Sequence, residues 1–89
     1  MNHPASPASS TAEGVRKLVA QQLNFHTDFE LRDDDDLWNL GMTSLTCLGL
    51  MLSIEETFGI ELPEKALKEA TFRSVDAIVA AVDGALSPA

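Results

Sequence analysis

The run from Ser44 to Phe58 constrains this chain most: it is apolar, contains no proline and is followed at once by Gly59. A glycine at that point is what a left-handed helix cap requires, so the run predicts a helix about 22 Å long. Placed at 100° per residue, its apolar side chains separate into two stripes. Leu50, Ile54 and Phe58, with Cys47 and Met51 alongside, make one stripe, and Leu45, Leu48 and Leu52 make the other. Either both stripes are core, or the second is a free surface. The 89 residues suffice for one domain with a modest core.

The rest of the chain supplies partners for that helix. Ser10 and Glu13 have capping-box spacing, and Val15, Leu18, Val19 and Leu23 recur at helical intervals, so a first helix is expected from Thr11 to Leu23 or shortly beyond. Residues 24–43 show no sustained period but carry Phe25, Phe29, Leu31, Leu37, Trp38 and Leu40, which suits a long loop pinned by apolar anchors. Pro63 can open a short third helix over Glu64 to Glu69. Ser74 can cap a last helix whose Val75, Ile78, Val79, Val82 and Leu86 trace one stripe. The expectation is all-α: a small bundle of three main helices plus a short third helix, with a long first loop. Residues 11–86 form the domain, between a disordered Pro/Ala/Ser-rich tail at 1–10 and a C-terminal tail at 87–89.

Fourteen acids against six bases give a net charge of -8, which opposes nucleic acid and anionic membranes and favours partners with basic patches. No apolar run approaches a bilayer span, and the N-terminus lacks the basic and apolar regions of a signal peptide. Cys47 is the single cysteine and has no disulfide partner within the chain. A reducing compartment, the cytoplasm, is the simple expectation. The acidic run Asp33 to Asp36 does not fit a calcium loop: counting from Asp33 puts Trp38 at the glycine position and Ser44 at the bidentate-glutamate position. Counting from Asp34 gives Asn39 and Leu45 instead. A solvated acidic loop is expected and no metal site, with Asp36 helping to shape the approach to Ser44.

Ser44 is the residue on which chemistry centres. It stands at a helix start, where free N–H groups and the helix dipole favour an attached anion. A serine there is also a common plain N-cap. A catalytic nucleophile would need an oriented base, but the histidines are His3 in the tail and His26 in the loop, and Gly41-Met42-Thr43-Ser44-Leu45 lacks the second glycine of a nucleophile elbow. No catalytic residue is assigned.

The segment Leu40-Gly41-Met42-Thr43-Ser44-Leu45, followed by Glu55-Glu56-Thr57-Phe58 and Ile60-Glu61-Leu62-Pro63, resembles the acyl carrier protein family, whose signature is Leu-Gly-x-Asp-Ser-Leu with Glu-Glu-x-Phe and an Ile-x-(Leu/Ile)-Pro turn downstream. The likeness extends over residues 12 to 86. It implies that Ser44 bears a covalent 4'-phosphopantetheine arm added by a phosphopantetheinyl transferase, and that an acyl- or aminoacyl-activating ligase loads the arm's thiol for a downstream transferase. It also implies a monomer whose partner surface is Thr43, Leu45, Leu48, Leu52, Glu55 and Glu56. Where many fatty-acid carriers have acids, this chain has Thr43, Thr46 and Gly49, so a different set of partners is implied. In this respect the chain looks like stand-alone bacterial carriers charged with amino acids by dedicated ligases. A fatty-acid or polyketide-type acyl carrier is the first alternative, and an unmodified helical interaction module docking through the leucine stripe is the second.

Overall fold

A computed structural model describes residues 7–25 and 29–86. Its helices are α1 (Pro7–Leu23), α2 (Ser44–Phe58) and α3 (Val75–Leu86), and no strand occurs among the described residues. The helix α1 starts upstream of the expected Thr11, at Pro7. Proline suits that place because its missing N–H would be unpaired in a first turn anyway and its φ is already helical. Ser10 and Glu13 therefore lie inside the helix and not at its start, and only residues 1–6 of the expected tail precede it. Those residues, His26 and residues 87–89 lie outside the described residues.

Helices α1 and α2 stop by the same device. Asn24 (φ 59°) and Gly59 (φ 64°) are left-handed, and the next amides, Phe25 N–H and Ile60 N–H, turn back to donate to Ala20 O and Glu55 O, each at 3.1 Å. At α3 the Ser74 hydroxyl accepts from Ala77 N–H at 3.1 Å, the cap its position implied.

The expected short third helix is realised as two 3-10 turns, Glu64–Ala66 and Glu69–Phe72, separated by Leu67 and the extended Lys68. A segment this short cannot nucleate an α-helix by itself. Its one buried residue, Phe72, belongs to the second turn and pins only that part to the core.

Helix α1 packs on both α2 and α3. Val15 and Val19 of α1, Leu50 and Ile54 of α2, and Val75, Ile78 and Val82 of α3 are buried together with Leu37, Leu62 and Phe72. The helices meet closely where side chains are small: a Cβ on Gly14 would stand 2.9 Å from the Phe58 ring.

The acidic loop is less solvated than expected. Asp33 accepts from Arg16 of α1 at 2.8 Å, its carbonyl accepts from Asp76 N–H at 3.0 Å, and Leu37 N–H donates to Arg73 O at 2.7 Å. Hydrogen bonding to Asp33 raises the Arg16 guanidinium pKa further above its already high ordinary value, despite partial desolvation. Among the described residues, Asp34 makes an ion-pair contact at 4.0 Å to Arg32 and nothing closer. No cluster of metal-ligating side chains occurs among the described residues.

Candidate functional site

Ser44 is delivered by a short anchored bend. Leu37 and Met42 are both buried, and between them the chain turns tightly, with Met42 N–H donating to Leu37 O at 3.1 Å. Gly41 makes the turn possible, since its φ of 118° lies where side chains are strained. Asp36 stiffens the entry: Oδ1 accepts from Trp38 N–H at 3.0 Å and from Asn39 N–H at 3.4 Å, and Oδ2 accepts from Arg73 at 3.2 Å. Asp36 thus fixes the turn that leads toward Ser44.

The plain-cap reading of Ser44 does not hold, because the cap is Thr43. Its Oγ1 accepts from Thr46 N–H at 3.2 Å while Thr46 Oγ1 accepts from Thr43 N–H at 2.8 Å, a reciprocal box. Sequence reasoning missed this pair because the box is usually closed by Glu or Gln. Two hydroxyl residues three apart at a helix start were the available signal. Ser44 is left as the first helical residue, exposed, its hydroxyl without a hydrogen bond among the described residues. The first amides of α2 point outward beside it without intrahelical acceptors.

The two stripes of α2 separate, and the second is a free surface and not core. Cys47, Leu50 and Ile54 are buried, whereas Leu45, Leu48 and Leu52 are 78%, 50% and 59% exposed. Thr43 and Glu56 are exposed on the same helix, but Glu55 is half-buried and its carboxylate accepts from Leu62 N–H at 2.9 Å. Glu55 therefore ties the Ile60–Leu62 segment to α2 and is only partly available to a partner. Gly49 stands under the Gln22 side chain, where a Cβ would meet its amide at 2.5 Å.

A groove of about 340 Å³ opens beside Ser44. It is lined by Trp38, by Ser44, Cys47, Leu48 and Met51 of α2, and by Leu67, Lys68 and Glu69. The sequence held no sign of it, because part of its lining comes from the irregular segment around the 3-10 turns. Burial pushes the Cys47 thiol up from its ordinary pKa, and the Glu69 charge adds to the effect, so the sulfur is a neutral thiol at physiological pH. An exposed, unbonded serine at a helix N-terminus, opening on a mostly apolar groove, suits a covalently attached phosphodiester with a slender tail.

Residues 13–82 match the family described as "Phosphopantetheine attachment site". The "Acyl carrier protein" of Zymomonas mobilis subsp. mobilis is 33% identical over 61 residues, 68% of this chain and 78% of that protein. The "Aminoacyl carrier protein" of Agrobacterium fabrum is 35% identical over 65 residues, 72% of this chain and 78% of that protein. The chain belongs to the phosphopantetheine-binding family, whose members carry a covalently attached 4'-phosphopantetheine, and it is a carrier protein.

Proposed function

We propose that Ser44 is the attachment point of the arm and that the cargo is an aminoacyl group. The observation that carries the first part is the exposed Ser44 hydroxyl, without a hydrogen bond among the described residues and first in a capped helix. A phosphopantetheinyl transferase forms the Ser44 Oγ–phosphorus bond as the coenzyme A diphosphate linkage breaks. When bound, the arm supplies a terminal thiol that holds the cargo as a thioester. The protein's part is to present that thiol to other enzymes, and the chain itself acts as a carrier and not as a catalyst.

Support for the aminoacyl cargo comes from the similarity to a protein named aminoacyl carrier protein and from the composition of α2. This helix has no acid before Glu55, and Thr43 and Thr46 spend their hydroxyls on each other. Its exposed face is therefore leucines with Glu56, a surface for a partner that reads shape more than charge. The partners are the transferase, a dedicated amino acid:carrier protein ligase and a downstream acceptor enzyme, met by a cytoplasmic monomer. No helix among the described residues is long and apolar enough to cross a membrane. Similarity to a protein named acyl carrier protein favours a fatty-acyl cargo as the second reading.

Intact-mass spectrometry after incubation with coenzyme A and a phosphopantetheinyl transferase tests the attachment. An adduct on the wild type that disappears in Ser44→Ala is the expected result. No adduct would leave the interaction-module reading of the leucine stripe in its place. Offering the loaded-arm form to amino-acid-activating and fatty-acyl-activating ligases in turn decides the cargo, and charging by the latter alone would overturn the aminoacyl assignment.

A further inference from the structure

Helices α1 and α2 approach closely at Gln22 and Gly49. A Cβ on Gly49 would stand 2.5 Å from Gln22 Nε2, 3.1 Å from its Cδ and 3.4 Å from its Oε1, so the whole carboxamide lies against the bare backbone of α2. Among the described residues that carboxamide makes no hydrogen bond, and neither its nitrogen nor its oxygen is shut away from water. It therefore keeps its donors and its acceptor oxygen open, at a place defined by the packing of two helices.

Gly49 borders the exposed leucine stripe. At 100° per residue it falls about 40° from Leu45 and about 60° from Leu52 around the helix, and those side chains are 78% and 59% exposed. Helix α2 carries no acid or base before Glu55. The Gln22 carboxamide is thus the polar element beside an uncharged apolar face, on a chain of net charge -8. A cation laid on that face would lose water and meet no counter-charge. An uncharged amide would pair donor to acceptor and acceptor to donor.

Resting on the aminoacyl-carrier reading and on Ser44 as the attachment point, we infer that Gln22 is a specificity-determining residue for loading. When the ligase covers Leu45 and Leu52, the Gln22 carboxamide exchanges hydrogen bonds with an amide group of that enzyme. Gly49 is the seat that keeps the carboxamide within reach. The ligase is the occupant because it selects the carrier before any cargo marks it, with only the protein surface and the arm to read. It also acts at the far end of the arm. The transferase must instead cover Ser44 Oγ, and Ser44 lies about 7–8 Å along the helix from Gly49 and about 140° around it.

Wild type, Gln22→Leu, Gly49→Ala and the double variant are given the arm, with complete addition verified by intact mass, and then titrated against an amino-acid-activating ligase that charges the wild type. Gln22→Leu keeps the bulk and removes the hydrogen bonds, so kcat/KM is expected to fall about five- to ten-fold, carried by KM at unchanged kcat. Gly49→Ala puts a methyl group where the carboxamide lies, and the flexible end of Gln22 gives way. Its thermal midpoint should equal or exceed that of the wild type, because alanine favours the helix, while its loading falls. The double variant should load no worse than Gln22→Leu, since both changes remove one interaction. Gln22→Leu loading like the wild type overturns the inference, and Gly49→Ala loading like the wild type, or additive losses in the pair, overturn the role of the seat. Failure to obtain any adduct overturns the attachment at Ser44, and charging of the wild type by fatty-acyl-activating ligases alone overturns the cargo. Both of those results are read on the wild type, before any variant is compared.

Discussion

Thr43 and Thr46 cap each other: each side-chain oxygen accepts the other's backbone N–H, and the two hydroxyls lie 3.1 Å apart. Because the cap is provided by the residue before Ser44, that serine keeps its hydroxyl free while occupying a rigid first turn. Had Ser44 been the cap, its oxygen would have been committed to an amide of its own helix.

Removing this cap should be felt as lost stability. Thr43→Ala is expected to cost about 1 kcal/mol, and Thr43→Ser or Thr43→Asp to restore most of it, since each can accept from the same amide. Urea unfolding of the three variants measures this. A Thr43→Ala variant as stable as the parent would show that the reciprocal box contributes nothing.

The two stripes of α2 should respond oppositely to truncation. Leu50 is fully buried and Leu52 is 59% exposed, only two positions along the same helix. Leu50→Ala is expected to cost about 2–5 kcal/mol by lost transfer energy and cavity formation. Leu52→Ala should stay within about 0.5 kcal/mol. Loading by the partner ligase should show the reverse order once variants are compared at a temperature where both are folded.

Asp36 and Arg73 form an ion pair whose partners should differ in importance. Their side chains are 35% and 50% exposed, so solvent screening limits the pair to less than about 1 kcal/mol. Arg73→Ala should therefore be mild and should approach the wild type further as salt is raised. Asp36→Ala also strips the acceptor from Trp38 N–H and Asn39 N–H, for about 1–2 kcal/mol in all. Chemical denaturation at low and high salt separates the two effects.

The Cys47 thiol should be slow to alkylate. Burial, with a contribution from Glu69, raises its pKa in the folded protein. A raised folded pKa means that folding favours the protonated thiol, so this contribution to stability is fully present below the unfolded thiol's pKa of about 8.5. It is lost as pH rises through the higher folded value. Iodoacetamide labelling of the apo protein, followed by mass against pH, should lag behind the urea-unfolded chain throughout the mildly alkaline range. Equal rates would contradict the burial.

The features that the chain announces by itself are those written within one or two helical turns. The span of α2 and its stop at Gly59, the cap of α3 at Ser74 and the exposed position of Ser44 all follow from neighbours a few residues apart, because helix periodicity and capping act over that range. The start of α1 was misplaced for the same reason: two local signals competed, and Pro7 took precedence over the Ser10–Glu13 spacing. What only the tertiary structure decided involves residues far apart along the chain. Asp33 and Asp36 are committed to Arg16 and Arg73, 17 and 37 residues away, and Glu55 is spent on Leu62 N–H. The groove beside Ser44 exists because Phe72 is buried, which carries Leu67, Lys68 and Glu69 across the face of α2. Which of two apolar stripes is covered, and which acid finds a cation, depends on how the helices close on one another, and no local period encodes that.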